Sequence, residues 1–536
     1  MATCHTRPRG ERAIYPLSAG ISGDMIGAAL HPLASEAALA VNGTAAAGHG
    51  LRRDAVGLRE VLFQSMTDMA PGAAIAASIP AGVAFAGGAL PLAVLFALVA
   101  SLFTAWSISQ LAKEIPAAGS LATYVARGIH PAVGFLVAWA YVMVGWLVAP
   151  LVLLQLGFTT AATLHTEFGW PADLWWPWSI LGILIVSAVG FFGVRASARL
   201  GTILGIFEIA VFAIMAVLLV IHAGEHNTLS VFTTKYTPDG QYHGLSGVIA
   251  GSVFTTLAFL GFESAAPLAE EARNPRRTVQ LAVLLSTLII GALYVFTTYA
   301  IDVAFGPAGF SKFTTGTGSA SWEGVARDLY GLFWVLVFFA IVNSTVANSN
   351  AGVNVASRTS FAMGRIHAFP PLFARVSERH RSPVIAIATG SVISLAVMLG
   401  LGFGYDPTTA FGMIGTALVI LLVAVYLVVN LACIGYFARR GRGFNPISHL
   451  LVPLIGIAAF LPAWLAGAGI KTPGLSFITP LTSPLSYMGP AAAIWMILGV
   501  LYLGYLYLRQ PQRVVDVGLV HLDAEPADGP ASARRS

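Results

Sequence analysis

Phe259-Leu260-Gly261-Phe262-Glu263-Ser264 interrupts an apolar run that is under way by Gly251 and ends in Glu270-Glu271-Ala272-Arg273-Asn274-Pro275-Arg276-Arg277. An acid inside a lipid-spanning helix costs at least about 2.5 kcal/mol on the most lenient insertion scale, so Glu263 should face a cavity, a partner or an ion path. Gly261 beside it permits backbone angles that other residues avoid. A second stretch of this kind lies near the start of the chain, Ser65-Met66-Thr67-Asp68-Met69-Ala70-Pro71-Gly72-Ala73-Ala74. There Pro71 removes a backbone donor and clashes with the preceding turn, and Gly72 tolerates unwinding. Single Gly or Pro kinks are common in membrane helices. Two breaks in equivalent positions, each beside an acid, instead match the discontinuous helices that bind polar solutes at the membrane midplane.

Composition sets the medium. Of 536 residues 57% are hydrophobic and 10% charged, against roughly 25% charged in an average soluble domain. A helix needs about 20 apolar residues to cross the hydrocarbon core, and on that rule there are twelve spans, at about 62–84, 90–112, 131–157, 174–194, 200–222, 246–268, 279–304, 331–357, 383–403, 408–437, 449–468 and 489–508. The expected fold is an all-α membrane protein. Counting five helices per repeat makes the first and sixth spans equivalent, with repeat one over about 61–222, repeat two over about 246–437 and the two helices of 449–508 outside both.

Basic residues test that count, because Lys and Arg gather in short cytoplasmic loops. With the amino terminus inside, only Lys235, Lys312, Arg327 and Lys471 of the 29 Lys and Arg fall in outer loops. The expectation is a multi-pass protein of the cell membrane with both termini cytoplasmic. Its net charge of +5 is then loop chemistry, attracted to anionic lipid headgroups, and gives no reason to expect nucleic-acid binding. Residues 1–56 and 511–536, rich in Ala, Gly, Pro and isolated charges, read as disordered cytoplasmic tails around a transporter domain of 57–510. Cys4 and Cys433 have no metal-site or disulfide spacing. No phosphate loop, metal triad or nucleophile motif is present, so neither an enzyme nor a nucleotide-driven pump is expected, and no cofactor.

Three blocks carry a family likeness. They are Lys113-Glu114-Ile115-Pro116-Ala117-Ala118-Gly119-Ser120 with Tyr124, Gly128, Gly134 and Trp139; Gly261-Phe262-Glu263 through Asn274-Pro275-Arg276-Arg277; and Ser357-Arg358 with Ala362-Met363 and Phe369-Pro370-Pro371-Leu372-Phe373. In these blocks the chain resembles the amino acid, polyamine and organocation transporter superfamily over roughly residues 57–510. The resemblance implies a leucine-transporter-like fold of two inverted five-helix repeats, alternating access, and an amino acid or related amine as substrate. It also implies that backbone N–H groups of Gly72, Ala73 and Ala74 cradle the substrate carboxylate. Carbonyls from Phe259, Leu260, Gly261 and Phe262 would take its ammonium, with Phe259 as an aromatic lid. The half-helix dipoles agree with that polarity. Two departures stand out: many relatives have a Gly-Ser-Gly-Ile-like run where this chain has Ala70-Pro71-Gly72-Ala73-Ala74, and some proton-coupled relatives carry a lysine on the fifth helix about where Glu208 stands.

Glu208 lies nine residues beyond Arg199, about 14 Å into its span. Burial disfavours the charged form of a carboxylate, so Glu208 is read as the group that takes and releases a coupling proton. The competing reading is a static partner for an amide or hydroxyl on a facing helix. Asn343, Asn350, Asn354 and Ser357 share one side of the eighth span, with Ser344 and Asn348 beside them. Such amides serve either a coupling site, where sodium is the alternative ion, or interhelical hydrogen bonds. Asp68 is a candidate for the substrate amine or a gate, Glu263 for a gate or relay, and helix capping is the plain alternative for each. Glu270, Glu271 and Asn274 are expected to end the sixth span and pair with the Arg cluster. The function expected from all this is proton-coupled symport. An exchanger of amino acids or polyamines, and a nutrient sensor without transport, are the alternatives.

Overall fold

Neither broken segment continues as one helix. The computed structural model describes residues 57–510 apart from 116–119, 193–197, 271, 273, 314–319, 366–368, 378–381 and 442. Both expected tails therefore lie outside the described residues, as does part of the first family block. The first segment comprises α1 (Leu58–Asp68), α2 (Pro71–Ala73), a π-helical turn (Ala74–Ser78), a 3-10 turn (Pro80–Gly82) and α3 (Val83–Ala86). Pro71 does not interrupt a helix, as its position in the sequence suggested. It opens one, at the first position of α2, where a missing N–H has no intrahelical acceptor to lose. The break falls on Met69 and Ala70, and Ala70 holds a left-handed φ of 46°, unusual for a residue with a Cβ.

The chain continues through α4 (Leu90–Glu114), α5 (Ser120–Gly128), α6 (Pro131–Phe168), α7 (Trp176–Phe192), α8 (Ala198–Ala223) and α9 (Leu245–Phe259). After α9 the backbone opens at Leu260 and Gly261 and resumes as a 3-10 helix over Phe262–Glu270. Then come α10 (Pro275–Phe305), α11 (Trp322–Tyr330), α12 (Phe333–Arg365), α13 (Val384–Gly404), α14 (Pro407–Arg440), α15 (Val452–Gly467) and α16 (Met488–Arg509). Among the described residues, ten helices are long and apolar enough to cross a membrane. Of the twelve expected spans, the first is in pieces and the fourth is the 17-residue α7, Trp176–Phe192. The third runs well past its expected end at 157, to Phe168, because its side chains stay buried through Ala161.

Burial separates centre from rim. The most apolar window of Leu245–Ala266 is 83% buried, that of Leu485–Arg509 only 22%. Helices approach through small residues, as membrane packing favours. A Cβ on Gly145 of α6 would stand 2.9 Å from the Ala356 backbone of α12. Polar side chains turn inward and pin helices together. Asn430 of α14 donates to the Thr104 hydroxyl (2.8 Å) and accepts from Ser107 (2.6 Å), both on α4. Trp139 of α6 and Trp495 of α16 stack at 4.5 Å, each indole N–H donating to the other's carbonyl.

Between the spans, α11 carries Trp322 edge-on against Phe212 of α8. Its Arg327 pairs with Glu167 at the end of α6 (2.6 Å) and lies over the Trp334 ring. Glu323 on the same helix is 4% exposed, and burial raises its pKa above the usual carboxylate range. A carboxyl held this way stabilises the fold below its unfolded pKa and loses that contribution as pH rises through the folded value. Glu323→Gln should therefore raise the Tm at neutral pH and flatten its decline with rising pH, by about 1–3 kcal/mol of stability. Thermal unfolding of both proteins between pH 4 and 9, on the order of single-unit steps, checks this. A wild-type Tm no lower at the alkaline end would sink it.

Candidate functional site

The two breaks touch. A Cβ added to Gly261, whose φ is 109°, would come within 2.8 Å of the Asp68 carbonyl oxygen, so the absence of a side chain lets the two openings meet. Ser65 of α1 stitches them: its hydroxyl donates to the Phe262 carbonyl (3.0 Å) and accepts from the Ala265 amide (3.1 Å).

Unwinding a helix in an apolar medium frees backbone groups that must find partners. Here distant side chains take the carbonyls of the first break. Asn348 of α12 donates to Asp68 O (2.7 Å), Tyr294 of α10 to Met69 O (2.7 Å), and Gln155 of α6 to Ala73 O (2.9 Å). The amides are treated differently. Ala74 N–H donates to Ala70 O at 2.8 Å, whereas Gly72 and Ala73 stand in the first turn of α2, where helix geometry supplies no acceptor. Of the three residues expected to cradle a carboxylate, these two keep their donors open.

Phe259 ends α9 fully buried, its ring edge-on to Tyr294 at 5.3 Å. Leu260 is extended and Gly261 left-handed, so the backbone opens at these two residues, and the Gly261 carbonyl accepts from the Ser264 amide at 3.0 Å. Phe262 is also fully buried, and its carbonyl is the one held by Ser65.

Glu263 is 2% exposed and occupied by donors of its own chain. Tyr141 of α6 donates to one oxygen (2.8 Å), and Tyr426 of α14 (2.7 Å) and the Gly261 amide (3.2 Å) to the other. One carboxylate thus joins α6, α14 and the second break. Asp68 lies next to Glu263 and Ser264, and its Oδ1 is buried without a hydrogen-bond partner.

Glu208 of α8, 1% exposed, faces Asn343 and Ser344 of α12, with the Asn343 amide 3.5 Å from its Oε2. Gly72 packs on the same turn: a Cβ there would lie 2.9 Å from Ala340 O and 3.2 Å from the Ser344 Cβ. The first, fifth and eighth expected spans therefore converge at Glu208. Asn350 and Asn354 stand further along α12, Asn350 with a buried, unpartnered Oδ1 and Asn354 exposed. Neither is brought to Glu208. Glu270, Glu271 and Arg273, expected to pair at the end of the sixth span, have side chains outside the described residues. Glu114 pairs with Arg440.

Among the described residues the ion pairs are His243–Asp239, Arg327–Glu167 and Arg440–Glu114. None reaches Asp68, Glu208 or Glu263, so three buried carboxylates surround the breaks with no cation of the described residues paired to them. Sequence reasoning did not reach Tyr141, Gln155, Tyr294 and Tyr426 as members of this site. Gln155 carries the clearest signal, a lone amide deep in an apolar helix, where an unbonded polar group is costly.

A sequence model described as amino acid permease matches residues 60–511. The low-affinity putrescine importer PlaP of Escherichia coli is 26% identical over 385 residues, 70% of this chain and 81% of that protein. The branched-chain amino acid permease BcaP of Bacillus subtilis is 24% identical over 364 residues, 65% and 75% of the two chains. Cationic amino acid transporter 4 of Mus musculus is 28% identical over 371 residues, 64% of this chain and 54% of the mouse protein.

Proposed function

Because the chain belongs to the amino acid permease family and is a multi-pass membrane protein, we propose that it is a secondary active transporter of an amino acid or related amine, driven by proton symport. The observation that carries this reading is the set of buried acids at the breaks, with Asp68 Oδ1 lacking any hydrogen-bond partner. Among the described residues no cation pairs with Asp68, Glu208 or Glu263, while Gly72 and Ala73 offer N–H groups beside them. A zwitterion or amine supplies the missing positive charge, and its carboxylate, where it has one, accepts from the open amides. Preorganised donors and acceptors of this kind lose little entropy on binding. The activities for which the relatives are named, importing putrescine and carrying branched-chain or cationic amino acids, fit such a site.

In this reading Asp68 Oδ1 receives the substrate amine, and Phe259 closes over it. Glu263 is held by its two tyrosines as a fixed joint between the moving parts. Glu208 is the coupling group, because it adjoins the first break through Gly72 and Ser344 and carries no ion partner. A proton neutralises it, and its Asn343 partner accommodates either state. The twelve spans are counted from apolar run lengths, and breaks in the first and sixth of them support two inverted five-helix repeats. The alternation of basic loops supports cytoplasmic termini.

The test is uptake of labelled amino acids and diamines by proteoliposomes, with and without an inward proton gradient, beside Glu208→Gln. Gradient-driven uptake that is lost in the variant is expected, by at least about tenfold, since amide for carboxyl removes the titrating group and preserves its shape. Uptake that ignores the gradient and requires substrate inside would replace symport by exchange and make Glu208 a structural residue.

A further inference from the structure

At the basic end of the bundle a cavity of about 380 Å³ opens between the carboxy-terminal end of α4 and the amino-terminal end of α10. Its volume is within the roughly 300–1,000 Å³ of small-molecule sites. Lys113 comes from α4, Arg276 and Arg277 from the first turn of α10, and Gln280 and Leu281 from its next turn. The one acid of the lining, Glu114, is already paired with Arg440. Among the described residues, Lys113, Arg276 and Arg277 take part in no ion pair. The first-turn amides of α10 add partial positive charge. Three cations thus converge on one space, and among the described residues of its lining no acid is left to balance them.

The surroundings are those of an amphiphile. Leu281, Leu285 and Leu288 follow one another at helical spacing along α10, the first two partly buried and Leu288 49% exposed. This apolar stripe leads from the cavity along a helix that spans the membrane. Anionic lipids are attracted to basic residues at a membrane surface.

We propose that this cavity binds the phosphate of an anionic phospholipid, with Lys113, Arg276 and Arg277 on the headgroup and Leu281, Leu285 and Leu288 beside the acyl chains. A soluble phosphate shares the headgroup chemistry but not the apolar stripe, which favours the lipid. The site ties the end of α4 to the segment that follows the second break.

Purified protein in neutral detergent is titrated with dioleoylphosphatidylglycerol or dioleoylphosphatidylcholine, and bound lipid is counted by native mass spectrometry while Tm is followed. Wild type is expected to retain phosphatidylglycerol over phosphatidylcholine by at least about tenfold, each basic residue near the headgroup contributing about a factor of five. The triple variant Lys113→Gln, Arg276→Gln, Arg277→Gln should lose that preference. A control triple from the opposite end, Lys235→Gln, Lys312→Gln, Lys471→Gln, has the same net charge and should keep it. Inorganic phosphate at millimolar concentration should shift Tm little. Equal retention by wild type and the first triple variant overturns the proposal. Equal loss in the control triple does so too, by reducing the effect to overall charge. A phosphate shift as large as the lipid's overturns the lipid assignment in favour of a soluble anion.

Discussion

Replacing Gly261 by alanine is expected to abolish transport while leaving the protein inserted. Gly261 holds φ at 109°, a region that residues with a Cβ rarely adopt. A new methyl would also stand 2.8 Å from the Asp68 carbonyl oxygen. That neighbour is backbone, already fixed by the Asn348 amide at 2.7 Å, so it cannot swing aside as a flexible side chain would. Strained angles of this kind cost about 1–3 kcal/mol and overpacking about as much again. Together they correspond to a loss of at least about thirtyfold in the population of the joined breaks. The measurement is initial uptake per unit of inserted protein, with elution profile and Tm to follow folding. An alanine variant transporting within about twofold of wild type would show that the two breaks need not meet.

The second large effect belongs to Glu263→Ala. Removing this carboxylate leaves the Tyr141 and Tyr426 hydroxyls and the Gly261 amide without their shared acceptor. Each buried donor left unsatisfied costs about 1–3 kcal/mol, so a Tm lower by several degrees and uptake reduced by about a hundredfold or more are expected. Glu263→Gln should fall between, because an amide can still accept from one tyrosine but offers an N–H to the other. Tyr141→Phe and Tyr426→Phe each remove a single bond, and in a double-mutant cycle their effects should not add, since both act on one carboxylate. Additive tyrosine effects, or a stable and active alanine variant, would remove Glu263 from its place as a joint.

Much of the architecture was legible in the chain because membrane constraints are local. Lipid offers no hydrogen bonds, so a span announces itself by about 20 apolar residues and its ends by basic residues. A break is likewise local chemistry: Gly72, Pro71 and Gly261 are residues that tolerate lost helical bonds, set beside Asp68 and Glu263. Where the reading slipped, a nonlocal or geometric fact decided. Pro71 looked like a breaker, yet the left-handed turn at Ala70 made it the start of α2. The first segment, expected to hold one break, is divided further by π and 3-10 turns into short pieces.

What the sequence by itself determined, then, is the medium, the helical content, the family and the two places where helices open, since each depends on residues near one another in the chain. The tertiary structure alone decided what occupies those openings. Asn348 comes 280 residues from the carbonyl it satisfies, Tyr294 225 and Gln155 82, and no periodicity or spacing links such positions. It also separated the three acids: Glu263 is filled by tyrosines of its own chain, while Asp68 keeps a free oxygen and Glu208 faces Asn343 and Ser344. The physical reason is that a buried polar group must be satisfied by whatever the packing brings within about 3 Å, and packing is a property of the whole fold.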